Sequence, residues 1–169
     1  MAELIMSAAQ IAADPGRWLS VTNCDTEGSR SAMGDRANVV VLDDKDGQMI
    51  YFYAHWGGES VCADVKAGLR ECGPDQPHYG NRWDDSGRVA SAIFRRMAGD
   101  DPHTPYAQIA LYRRDNEYPI VVVDSRTQTV GLAHEGKEPE CYRSWSFADF
   151  IELPLPDDGW PEGERSGDD

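Results

Sequence analysis

The stretch from Gly34 to Glu59 constrains this chain more than any other. It contains an apolar run from Ala37 to Leu42, a turn at Asp43 to Gly47, a second run from Met49 to Ala54, and then His55-Trp56-Gly57-Gly58-Glu59. The first run is β-branched and lacks polar alternation, which predicts a central strand covered on both faces. Asp46-Gly47 favours a tight reversal, and Met-Ile-Tyr-Phe-Tyr-Ala is rich in strand formers. The reading is an antiparallel hairpin whose second strand runs into a glycine pair that opens a helix.

That helix is expected over Glu59 to Cys72, with Val61, Val65, Leu69 and Cys72 on one face and Gly73-Pro74 as its stop. A second helix is capped by Asp84 or Asp85, buries Val89, Ile93 and Met97, and ends at Gly99 with Arg95 and Arg96 in its last turn. Strands are predicted at Ala107 to Tyr112, Pro119 to Asp124 and Thr129 to Ala133, and a short helix at Phe147 to Ile151 capped by Ser144 or Ser146. Short connections make the three strands a meander. The fold class is therefore α+β: an antiparallel or mixed sheet of about five strands, with helices mainly on one face.

Residues 1–32 read as a helical extension (Ala2 to Ala13), a brief strand (Trp18 to Thr22) and a polar loop; residues 33–153 read as a single domain. Residues 154–169 read as an acidic, disordered tail, with six acidic residues and one Arg from Asp157 onward. The net charge of −14 opposes binding to a nucleic acid strand, which needs clustered Lys and Arg. No leader-like or membrane-spanning run is seen, so a cytoplasmic protein is expected. Cys24, Cys62, Cys72 and Cys141 have no CxxC spacing, and the histidines no HxH or HxxxH spacing, so neither a metal nor a cofactor is expected.

Gly34-Asp35-Arg36-Ala37-Asn38-Val39, Tyr51-Phe52-Tyr53-Ala54-His55-Trp56-Gly57-Gly58 and Asp115-Asn116-Glu117-Tyr118-Pro119 with Val121-Val122-Val123-Asp124 together resemble a family of small uncharacterised proteins of bacteriophages and actinobacteria. The resemblance covers roughly Met33 to Asp124. It implies phage or prophage origin and action inside a bacterial host, and carries no activity with it.

Chemistry concentrates at the hairpin's ends. Gly57 and Gly58 meet a helix N-terminus, where main-chain N–H groups favour an anion, although the segment lacks a Walker lysine. Hairpin pairing brings Asp35, Arg36 and Asn38 near His55 and Trp56: Arg36 can pair with a phosphate, Asn38 can read an amide edge, and His55 can serve as acid or base. The competing structural reading makes Asp35 and Arg36 an internal ion pair, with His55 bonded to a main-chain carbonyl. Glu117 is a further carboxylate candidate, and Tyr51, Tyr53, Trp56, Tyr79 and Trp83 a candidate stacking platform. Three functions follow. The first is a non-enzymatic accessory protein that binds a host or phage protein, the second a binder of a small nucleotide or other anion at the glycine turn, and the third a nucleotide hydrolase using His55.

Overall fold

The computed structural model describes residues 35–43, 48–77, 80–99, 107–156 and 159–163, which belong to one compact unit starting at Gly34. The expectations for residues 1–32, for the tip of the hairpin turn, and for His78, Tyr79 and His103 fall outside them.

The hairpin forms as read: β1 (Ala37–Leu42) and β2 (Met49–Ala54) are antiparallel, with Ala37 opposite Ala54 and Leu42 opposite Met49. After β2, a single 3-10 turn (Gly58–Ser60) leads into α1 (Val61–Cys72), whose inner face buries Val61, Val65, Leu69 and Cys72. The helix α2 (Ser86–Ala98) starts at Asp85, whose carboxylate accepts from the Arg88 amide, and stops at Gly99 with φ +71°. These are the side-chain cap and the glycine stop that the sequence carries. The last helix, α3 (Phe147–Glu152), is capped by Ser146.

The remaining strands are β3 (Ala107–Ala110), β4 (Ile120–Asp124), β5 (Thr129–Ala133) and β6 (Arg143–Ser146), and the sheet order is β3-β2-β1-β4-β5-β6. This is a mixed α+β sheet, because β1 and β4 are parallel while the other neighbours are antiparallel. The expected meander of β3, β4 and β5 is corrected: β3 pairs outside β2, and the meander is β4-β5-β6. Burial decides the order. Ile-Val-Val-Val of β4 has both faces buried and takes the central place beside β1, whereas Ala-Gln-Ile-Ala of β3 leaves its two middle residues exposed and suits an edge.

One face of the sheet carries the three α-helices of the described residues. Val39, Val41, Phe52, Val121, Val123 and Leu132 point into the core that α1, α2 and α3 close. On the opposite face, Val40, Leu42, Tyr51, Ile120 and Val122 form a smaller buried cluster. The segment joining β3 to β4 crosses β2 and β1 to reach its strand, and that crossing carries the candidate site.

Trp160 departs from the expected tail. It is buried, stacks on Tyr118 with ring centroids 5.0 Å apart, and donates its indole N–H to the Gly58 carbonyl at 3.1 Å. Gly159, at φ +73°, brings the chain against Glu59 so closely that a Cβ would lie 2.0 Å from the Glu59 carbonyl oxygen. A large aromatic gains more by burial than its acidic neighbours lose by following it. Among the described residues no helix is long and apolar enough to cross a membrane.

Candidate functional site

The amides of the strand-to-helix turn already have an anion. The Asp35 carboxylate accepts from Gly57 N–H at 2.9 Å and Glu59 N–H at 3.0 Å, and the Asp35 carbonyl accepts from Gly58 N–H at 3.0 Å. The glycines serve this contact. Gly57 sits at φ +93°, and a Cβ on Gly58 would lie 2.8 Å from the Tyr118 ring and 2.9 Å from the Asp35 carboxylate. Burial, followed by a hydrogen bond to Asp35, pushes the Tyr118 phenol well above its usual range.

Arg36 does not pair with Asp35. Its guanidinium bonds Asp115, 79 positions along the chain, and its carbonyl accepts from Glu117 N–H at 2.9 Å. The carboxylate beside Arg36 is thus Asp115, while Glu117 contributes its main chain. Asp115 also accepts from the Tyr53 hydroxyl at 3.1 Å, and the Tyr53 oxygen lies 3.2 Å from Nδ1 of His55. Tyr53 has one proton, and Asp115, held against a guanidinium, accepts it. His55 then faces the Tyr53 oxygen through Nδ1–H. Burial, and then the hydrogen bond and charge of Asp115, raise the Tyr53 pKa.

Asn38 is fully buried, and its amide grips the crossing segment as a main-chain amide would. Its Oδ1 accepts from Arg114 N–H at 3.1 Å, while Nδ2 donates to the Arg114 carbonyl at 3.2 Å and to Asn116 Oδ1 at 2.9 Å. Trp56 is half exposed and meets His55 edge-on at 5.1 Å. The expected set of Arg36, Asn38, His55, Trp56, Gly57 and Gly58 is therefore brought to one end of the sheet. Most of its polar atoms are joined to Asp35, Tyr53, Asp115 and Arg114.

The stacking platform is not assembled: Trp83 donates to the Leu69 carbonyl at 2.9 Å and packs edge-on against Phe147 on the helix side. Among the described residues no group of three His, Cys, Asp or Glu is placed to hold a metal ion.

What the site lacks in open polar groups, the neighbouring edge has in apolar surface. Ile109 and Leu111 are 62% and 93% exposed, and Tyr112, Met49 and Ile50 are exposed beside them. Ile109 stands opposite Phe52, and Ile50 shares the Phe52 face by period two. Among the described residues no further strand pairs with β3. The edge Ala-Gln-Ile-Ala has no charge, lysine or proline, the devices that ordinarily keep an edge strand from pairing. Sequence reasoning missed this surface because a strand at Ala107 to Tyr112 carries no local sign that it lies at the sheet edge.

Comparison with protein-family models, with curated proteins and with solved structures finds no match.

Proposed function

We propose that this chain is a non-enzymatic protein-binding module that receives a strand of its partner along β3. The observation that carries it is the uncharged edge with Ile109 exposed on it and Leu111 exposed just past its end. Strand addition supplies main-chain hydrogen bonds, while apolar side chains fix the register. The net charge of −14 selects a partner with a basic rim around its apolar strand. The resemblance to phage proteins makes that partner a phage or bacterial host protein met in the cytoplasm.

The polar cluster supports this reading because most of its polar atoms are bonded within the chain, the buried Arg36 Nε being the exception. Asp35, Arg36 and Asn38 join the hairpin entrance to the helix turn and to the segment that leaves β3. A small anion at the glycine turn must displace Asp35, and a hydrolase using His55 needs a substrate cleft at Nε2.

The test is capture from bacterial lysate with Leu111→Asp and Ile109→Lys beside the wild type and His55→Ala. Specific partners lost from the edge variants and kept by His55→Ala support the proposal. Partners lost only with His55→Ala move the function to the polar cluster.

A further inference from the structure

Arg114 follows β3 closely and carries a guanidinium that no carboxylate of the described residues takes up. Its neighbours are taken: Arg36 pairs with Asp115, and Arg113 with Glu135 and Glu138, both at 3.4 Å. In a chain of 30 acidic and 16 basic residues, an arginine meets a carboxylate more easily than it avoids one. What Arg114 has instead is the ring of Tyr112, its guanidinium carbon 4.9 Å from the centroid. Stacking on a ring face leaves the in-plane N–H groups pointing outward, where they can meet a carboxylate as a fork.

The stacked pair is held in place beside the edge. Buried Asn38 accepts from the Arg114 N–H at 3.1 Å and donates to its carbonyl at 3.2 Å, so the guanidinium springs from fixed main chain. Tyr112 is exposed, and its Cα lies within about 7 Å of that of Ala110, the last residue of β3. The exposed side chains of Ile109 and Leu111 thus have one stacked cation next to them. A basic-rimmed strand can slide along an acidic surface, because similar contacts recur at each step. One acid placed opposite one fixed cation pins the register, and a lysine in the same place is repelled.

We propose that the partner strand added along β3 carries one aspartate or glutamate that pairs with Arg114, flanked by the apolar residues that cover Ile109 and Leu111. This rests on strand addition at β3 and names the strand that the edge selects. The carboxylate comes from a side chain and not from a chain end. Terminal carboxylates are captured by converging main-chain N–H groups, and the Arg114 N–H is already given to Asn38. The guanidinium fork that remains suits a side-chain carboxylate, within a strand whose other charges are basic.

The test selects peptides from a random displayed library on the full-length wild type, on Arg114→Ala and on Leu111→Asp, with the peptide C-terminus blocked and, in a second arm, free. The wild type should enrich apolar peptides that share one acidic residue, Arg114→Ala should keep the apolar positions and lose the acid, and Leu111→Asp should enrich neither. The best peptide is then titrated by calorimetry. Arg114→Ala should weaken it about tenfold, the loss of a charged hydrogen bond, and so should replacing the peptide's acid by its amide. The two changes together should cost little more than either alone, the mark of a direct pair. Arg114→Lys, which keeps the charge and loses the fork, should fall between. An apolar consensus without an acid, an acid retained on Arg114→Ala, or enrichment only with a free C-terminus would overturn the pairing and leave strand addition standing. No consensus on the wild type would overturn strand addition itself. The amide peptide on the wild type decides even if Arg114→Ala does not fold.

Discussion

The Asp35 carboxylate accepts the Gly57 amide at 2.9 Å, so the anion that the strand-to-helix turn attracts is supplied from 22 positions earlier in the same chain. A sequence motif that looks like a phosphate cradle is here an internal clasp. Asp35→Ala leaves the Gly57 and Glu59 amides without their acceptor and should cost about 1–3 kcal/mol in urea denaturation. Added sulfate or phosphate should restore part of that loss in the variant and leave the wild type unchanged. A wild-type midpoint that rises with phosphate while shifts appear at residues 57–59 would show the turn open to outside anions.

Asn38→Ala removes a buried amide that satisfies both main-chain groups of Arg114. The stranded groups predict a loss of about 2–4 kcal/mol, read from the denaturation midpoint. Asn38→Asp should lose a similar amount, because a carboxylate cannot donate to the Arg114 carbonyl. Loss below about 0.5 kcal/mol would mean that the crossing segment is held by other contacts.

Two helix glycines should respond with opposite sign. A Cβ at Gly68 would lie 2.8 Å from the Ile93 main-chain nitrogen, where α1 and α2 touch. Gly68→Ala therefore forces the helices apart, at about 1–3 kcal/mol. At Gly87 the nearest atom is 3.5 Å away, so Gly87→Ala should stabilise α2 by up to about 1 kcal/mol. Thermal melts of the two variants check the pair.

Alkaline pH tests the tyrosines. Burial and Asp35 raise the Tyr118 pKa above 10.0, and burial and Asp115 raise that of Tyr53. A folded-state pKa above the unfolded one means that the folded chain holds its proton more tightly. The resulting stability is complete below about pH 10 and is lost as pH rises through the folded values. Urea midpoints from about pH 8 to about pH 11 should fall at the alkaline end. In Tyr118→Phe the whole curve should sit lower and its alkaline fall should be shallower.

Local elements were legible because their signals are local. The hairpin, the inner face of α1 and the Asp85 and Gly99 caps of α2 follow from periodicity and caps within a dozen residues. The parallel pairing of β1 with β4 was not, since it joins Val39 to Val121 across two strands and two helices, with no local signal. β6 escaped notice because Arg-Ser-Trp-Ser is short and mostly exposed. At the site, hairpin register correctly brought Arg36 and Asn38 toward His55. The bridging group, Asp115, lies across the crossing and could not be placed from sequence spacing. Trp160 was hidden by its acidic neighbours.

The measurement that bears most directly on the proposed function is photocrosslinking from position 111 inside a bacterial host. A photoreactive residue replacing Leu111 should give a discrete adduct with another protein, reduced by Ile109→Lys. The same residue at Arg126, exposed in the β4–β5 turn, should give none. No adduct from position 111 with the protein folded, or one at twice the 18.8 kDa chain mass, would contradict a heterologous partner on β3.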